Sequence, residues 1–118
     1  MCRYGDCSMK YQELEDLVLA WADEKGILEK ATPTAQMRKL REEVKELGDA
    51  IKKGDVNEMV DAMGDIQVVI IIMNQLLAQE YGHKSKFNQT VQHHLNVAYD
   101  VIKKRTGKMV RGVFVKDE

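Results

Sequence analysis

Along most of this chain apolar residues recur three and four positions apart, the spacing of one helix face. Leu14, Leu17, Val18 and Trp21 set the first predicted helix, Tyr11 to Lys25, which Gly26 ends. Ile27 to Thr32 reads as a loop. Pro33 and Thr34 open the second helix, which carries Met37, Leu40, Val44, Leu47 and Ile51 and runs to about Lys53, before Gly54. Asp55 suits the N-cap of the third, which runs to about Glu80 and holds the most apolar stretch, Val68 to Met73. Gly82 breaks the pattern. A fourth helix covers roughly Lys86 to Arg105, with Val91, Leu95, Ala98 and Ile102 on one face, and Gly107 ends it. From Lys108 to Lys116 the pattern suits a small hairpin turning at Arg111-Gly112. The expectation is one all-α domain over residues 1–118: a four-helix bundle-type subunit with a polar leader (1–10) and a short C-terminal β-hairpin (108–116).

The polar positions carry the chemistry. The second helix holds Glu42-Glu43-Val44-Lys45-Glu46, and the third holds Glu58, Asp61 and Asp65. At about 100° per residue, Glu43 lies roughly 70° from the centre of the apolar stripe. Glu46 lies further round the same flank, and Glu42 points nearly opposite the stripe. Gln36, Lys39, Glu43 and Glu46 therefore form one polar stripe. On the third helix Glu58, Asp61 and Asp65 fall within roughly 60° of one another. One turn later that face becomes Val68, Val69 and Ile72, so Asp61 and Asp65 are expected to look inward. Carboxylates facing one another across two helices repel and need a cation. Oxygen-only ligands suit a hard divalent ion such as magnesium, with manganese as a substitute, and so point to phosphate chemistry. Glu-Glu-x-x-Glu also suits a solvated face, through pairs such as Lys39–Glu43 and Arg38–Glu42.

Composition narrows the field. At 118 residues, 44% hydrophobic and 31% charged, the chain suits a globular domain. A net charge of -1 supplies no field toward nucleic acid or an anionic membrane. The longest apolar run is short for a bilayer and interrupted by Gln67, Asn74 and Gln75. Cys2 and Cys7 sit in the polar leader without a second pair, which suits free thiols in a cytoplasmic protein.

Other groups are weighed alongside these. Asn96, Asp100 and Lys103 share a stripe on the fourth helix, followed by Lys104, Arg105 and Lys108. Such basic residues suit phosphate oxygens or simply complement the helix dipole. Trp21 has the spacing of a core residue and the surface to stack on a base. His83, His93 and His94 have no ligand spacing with the acids. Walker-type, nucleophile-elbow and dinucleotide patterns are lacking.

With these residues placed, the chain resembles the all-α nucleoside triphosphate pyrophosphohydrolases of the MazG-like superfamily, which also holds dimeric dUTPases and phosphoribosyl-ATP pyrophosphohydrolase. The family pattern is Glu-Glu-x-x-Glu on one helix and Glu-x-x-Asp on the next. Here the first is Glu42-Glu43-x-x-Glu46. The segments Val60 to Ile66 and Arg105 to Lys116 resemble the small phage and bacterial subgroup. The resemblance implies magnesium-dependent conversion of a (d)NTP to the monophosphate and pyrophosphate. It implies Glu43, Glu46, Asp61 and Asp65 as metal ligands, with catalysis by Glu43 and Glu46. Lys39, Lys103, Lys104, Arg105 and Lys108 would face phosphates, and Asn96 or Asp100 would face sugar or base, with Gln36 and Trp21 as further candidates. Self-association as dimers or tetramers, with partly shared sites, follows from the same resemblance. One departure stands out: if Asp65 is the second-motif aspartate, Ala62 occupies the glutamate position. Either Asp61 supplies the missing ligand, or Glu58 and Asp61 are the true pair. A dUTPase or phosphoribosyl-ATP hydrolase, or a non-catalytic helical interaction protein with acidic faces, remains an alternative.

Overall fold

The computed structural model describes residues 9–82 and 90–118. The Cys2/Cys7 leader, His83 and the expected helix start at Lys86 lie outside the described residues. The elements are α1 (Tyr11–Glu24), α2 (Ile27–Lys30), α3 (Pro33–Lys53), α4 (Val56–Tyr81), α5 (Val91–Ile102), β1 (Gly107–Val110) and β2 (Val113–Lys116). The mainly helical fold and the C-terminal hairpin match the sequence pattern. The helix count does not, because Ile27–Lys30 is a helical turn rather than loop. Gly26, at φ 76°, re-aims the chain there, and Lys30 N–H donates to Gly26 O while Ala31 N–H donates to Ile27 O.

Caps fix the other boundaries. Thr32 Oγ1 accepts from Ala35 N–H with Pro33 at the first helical position, and Asp55 Oδ1 accepts from Glu58 N–H. Gly54 adopts φ 69° between α3 and α4, so the two helices fold back on each other as an antiparallel pair. Thr90 Oγ1 accepts from His93 N–H, starting α5 at Val91; α5 ends at Ile102, three residues short of the expected Arg105. In the hairpin Val110 pairs with Val113 across Arg111 (φ 50°) and Gly112 (φ 82°), both left-handed as a tight two-residue turn requires.

α1 and α2 lie against α4, with Ala22, Ile72 and Leu76 at the centre and Val18, Ile27, Leu28, Ala31 and Val68 packed around them. The core is thin. Among the described residues eight apolar side chains are buried, and four of those are alanines, so much apolar surface is left outside. On α1, Leu14, Leu17 and Trp21 are exposed, while Glu15 and Ala22 face inward. On α3 the expected stripe is split: Leu40 and Leu47 are half-buried, Met37, Val44 and Ile51 are exposed, and Glu43 and Ala50 are buried against α4. On α5 Val91 of the expected face is half-buried, while Leu95 (65%), Ala98 and Ile102 are exposed. Glu15 tethers this helix by accepting from Val91 N–H at 3.2 Å.

By length and composition alone α4 could cross a membrane: 26 residues with a window of mean hydropathy 1.4. The shortness expected of its apolar run does not hold for the whole helix. Here it is the central helix, packed against α1, α2 and α3.

Candidate metal centre and adjoining cavities

Turning α3 and α4 toward each other separates their side chains into two flanks. Taking Glu43 as the α3 direction facing α4, Lys39 and Glu46 lie on one side and Met37, Val44 and Ile51 on the other, by about 100° per residue. On α4 the same construction about buried Ala62 puts Glu58, Asp61 and Asp65 on one side and Val56, Met63 and Ile70 on the other. In an antiparallel pair these sides coincide. One flank of the pair is therefore acidic and the other apolar.

On the acidic flank Glu43, Glu46 and Asp65 converge, each offering an oxygen within 4.8 Å of the others. Glu43 is only 4% exposed. Its Oε1 pairs with Lys39 Nζ at 3.0 Å, whereas its Oε2 is buried with no hydrogen-bond partner. A buried carboxylate oxygen without a donor is costly. The electrostatics agree. The negative charge of Glu43 raises the Glu46 carboxyl above its ordinary pKa. Desolvation first, then the charges of Glu43 and Asp61, raises that of Asp65. The bond to Glu43 raises Lys39. An oxygen-only donor set around an orphaned oxygen fits a hard divalent cation.

Asp61 and Glu58 stand beside this triad, lining with Glu46 and Asp65 a cavity of about 370 Å3. Ala62, in the same wall, is 3% exposed, and the neighbouring acids supply the negative charge around it. Asp49 and Lys53 also line this cavity, and the sequence reading passed over both. Their spacing from Glu46 (three and seven residues) carried the signal.

A second cavity, about 450 Å3, opens on the other side of Lys39. Trp21, Gln36 and Lys39 line it, joined by Lys25, just before the unexpected α2, and Lys30, its last residue, neither of which the sequence pattern singles out. Trp21 is 47% exposed, so it is not the core residue its spacing suggested. Its far side walls a third hollow of about 390 Å3 that reaches Asp65. Trp21 thus borders two hollows, one reaching Lys39 and the other Asp65.

The α5 candidates fall elsewhere. Asn96, Asp100, Lys103, Lys104, Arg105 and Lys108 are exposed and line none of these three cavities. Lys103 pairs with Asp100 at 3.2 Å.

Residues 31–96 match the family model of the MazG nucleotide pyrophosphohydrolase domain. The match takes in both acidic segments and leaves out Trp21, the basic end of α5 and the hairpin. Over 62 residues the chain is 34% identical to an uncharacterized 18.2 kDa protein of the rep-hol intergenic region of Haemophilus phage HP1. That alignment covers 52% of this chain and 38% of the phage protein. No solved structure matches the chain.

Proposed function

The chain belongs to the MazG nucleotide pyrophosphohydrolase family, and from that footing we propose that it is a magnesium-dependent hydrolase converting a (d)NTP to the monophosphate and pyrophosphate. The observation that carries this reading is the buried Glu43 carboxylate, with Oε2 unpartnered, converging with those of Glu46 and Asp65.

In this reading Glu43, Glu46 and Asp65 hold the divalent ion, with Asp61 and Glu58 on the cavity wall as further oxygen donors. A bound magnesium ion would offset phosphate charge and lower the pKa of a water. Glu46, exposed and with its proton affinity raised by Glu43, is placed to orient that water and take its proton. Lys39 sits between acids and cavity and neutralises a phosphate oxygen there, with Lys25 and Lys30 further along the same wall. Trp21 offers its ring to the base. The opposite, apolar flank of the α3–α4 pair (Met37, Val44, Ile51, Val56 and Met63, each at least 40% exposed) suits an identical flank of a second subunit, so the protein works as a homo-oligomer. Manganese can replace magnesium, and a cytoplasmic location suits a nucleotide substrate.

The test is pyrophosphate release from a panel of canonical and modified (d)NTPs, with dUTP and phosphoribosyl-ATP included, in magnesium and in excess EDTA. Magnesium-dependent release from one preferred substrate is the expected result. No release from any of them by folded protein, with magnesium or manganese, would overturn the proposal and favour the interaction-protein alternative.

A further inference from the structure

We propose that the C-terminal hairpin is an exchange arm. It seats in the apolar groove between α4 and α5 of a second copy of this chain, which returns its own arm.

Each face of the hairpin carries apolar side chains beside one lysine, Lys116 on one and Lys108 on the other. Met109 and Phe114 are paired across the strands on one face; Val110, Val113 and Val115 occupy the other. All five are between 39% and 65% exposed. β1 and β2 pack on each other and form no substantial contact with any helix. An isolated two-stranded hairpin is marginal in water, and both of its edges offer unpaired backbone groups. Yet this one is built as a unit. The Phe114 ring lies over Gly107, where a Cβ would sit 2.7 Å from its Cζ. Thr106 Oγ1 donates to Asp117 Oδ2 at 2.7 Å, and Asp117 N–H donates to Thr106 O, closing the open end. A preformed apolar element without cover is suited to docking at low entropic cost.

The receiving surface is on the same chain. Hollows of about 560 and 210 Å3 lie side by side along α4 and α5, sharing Ile70, Val91 and His94. Asn74 lines the smaller one, with its side-chain nitrogen buried and unpartnered. That donor needs an acceptor, and the edge of a strand presents a row of carbonyl oxygens. The hairpin does not pack on its own α4 or α5. The groove is at the start of α5, and the hairpin leaves from its far end, about 18 Å away for 12 residues.

The uncovered apolar surface points to a second copy. Besides the five hairpin side chains, Leu95, Val97, Val101 and Ile102 of α5 are exposed, and reciprocal exchange of identical arms is the twofold-symmetric way to cover such surface on both chains.

The experiment uses the full chain with Cys2 and Cys7 replaced by serine. One preparation carries Leu77→Cys and the other Phe114→Cys, and the two are mixed with a short bis-maleimide. The expected result is a covalent dimer linked between positions 77 and 114 of different chains, mapped by mass spectrometry. The double variant should link between chains as well. An intrachain link in the double variant, or no link in the mixture, would overturn the proposal. Sedimentation then compares the full chain with Met109→Asp/Phe114→Asp, which keeps the chain length; circular dichroism checks its helices. A tenfold or greater rise in the dimer dissociation constant is expected, and a smaller change overturns the arm.

Discussion

Replacing Glu43 with glutamine tests whether the acidic flank is poised for a cation or is held together by its own lysine. The side chain keeps its shape, so no cavity forms. In the absence of metal the substitution removes a negative charge from beside Glu46 and Asp65. It also turns an unpartnered buried acceptor into an amide that can donate to either neighbour. Leaving a buried polar group unsatisfied costs about 1–3 kcal/mol. Against that stands the lost pair with Lys39, whose side chain is 53% exposed, which caps its worth at about 1 kcal/mol. The net expectation is a gain of about 1–2 kcal/mol without metal. For 118 residues that is a melting temperature higher by about 4–8 °C.

Magnesium should reverse the order. At about a hundred times its dissociation constant a ligand stabilises the folded state by about 2.7 kcal/mol, and the native chain should show that rise while Glu43→Gln largely lacks it. Calorimetry in EDTA and across a magnesium titration reads both numbers, and pyrophosphate release should fall by at least about 10–100-fold. If Glu43→Gln melts lower in EDTA and still responds fully to magnesium, Glu43 is a structural partner of Lys39 and the reasoning fails.

The remaining expectations concern pH, helix docking and the alanine in the second acidic motif. Glu46 and Asp65 have raised carboxyl pKa values in the folded protein. The folded state therefore holds protons that the unfolded chain has released, and apo stability should fall as pH rises through that window above the ordinary carboxylate range. Melting in EDTA should thus improve on mild acidification from neutral, and a flat profile would count against the coupling. Glu15→Ala should cost about 1–3 kcal/mol and speed hydrogen exchange at Val91, whose N–H the carboxylate accepts; unchanged protection there would show that α5 docks by other means. Ala62→Glu places a long acid on a 3% exposed site against α3, and should lower stability by about 1–3 kcal/mol in EDTA. A tighter magnesium response without that loss would mean that the family's glutamate fits here after all.

The helices and hairpin were legible because their signals are local. Asp55 and Thr32 cap, Gly54 and Gly26 stop, and Arg111-Gly112 turns, each within a few residues. The convergence of Glu43, Glu46 and Asp65 was legible in part, since spacing put them on facing flanks. What spacing could not supply was the rotation of each helix. The apolar stripe on α3 suggested that Met37, Val44 and Ile51 face the core, on the premise that one subunit buries its own hydrophobic face. Here Glu43 and Ala50 take that place. Trp21 and Leu95 mislead in the same way. Apolar periodicity reports that a face is covered by something, and it does not say which chain covers it. The α2 turn was missed because a four-residue helix is too short to show a period.

The rotation of α3 has an energetic consequence. Turning Glu43 inward puts a carboxylate where this helix pair would otherwise gain burial energy, and leaves Val44 and Ile51 in water. Among the described residues only eight apolar side chains are buried, so little core stands against both losses. A cation on the acidic flank would offset the first by pairing the orphaned oxygen, and a second copy on the apolar flank would offset the second. Because the two flanks belong to the same pair of helices, each event stabilises the element that the other requires. Metal and self-association should therefore be linked, with magnesium tightening the oligomer and the oligomer tightening magnesium by the same factor. Sedimentation in EDTA and in magnesium checks this reciprocity, and identical dissociation constants in the two would show that the flanks act independently.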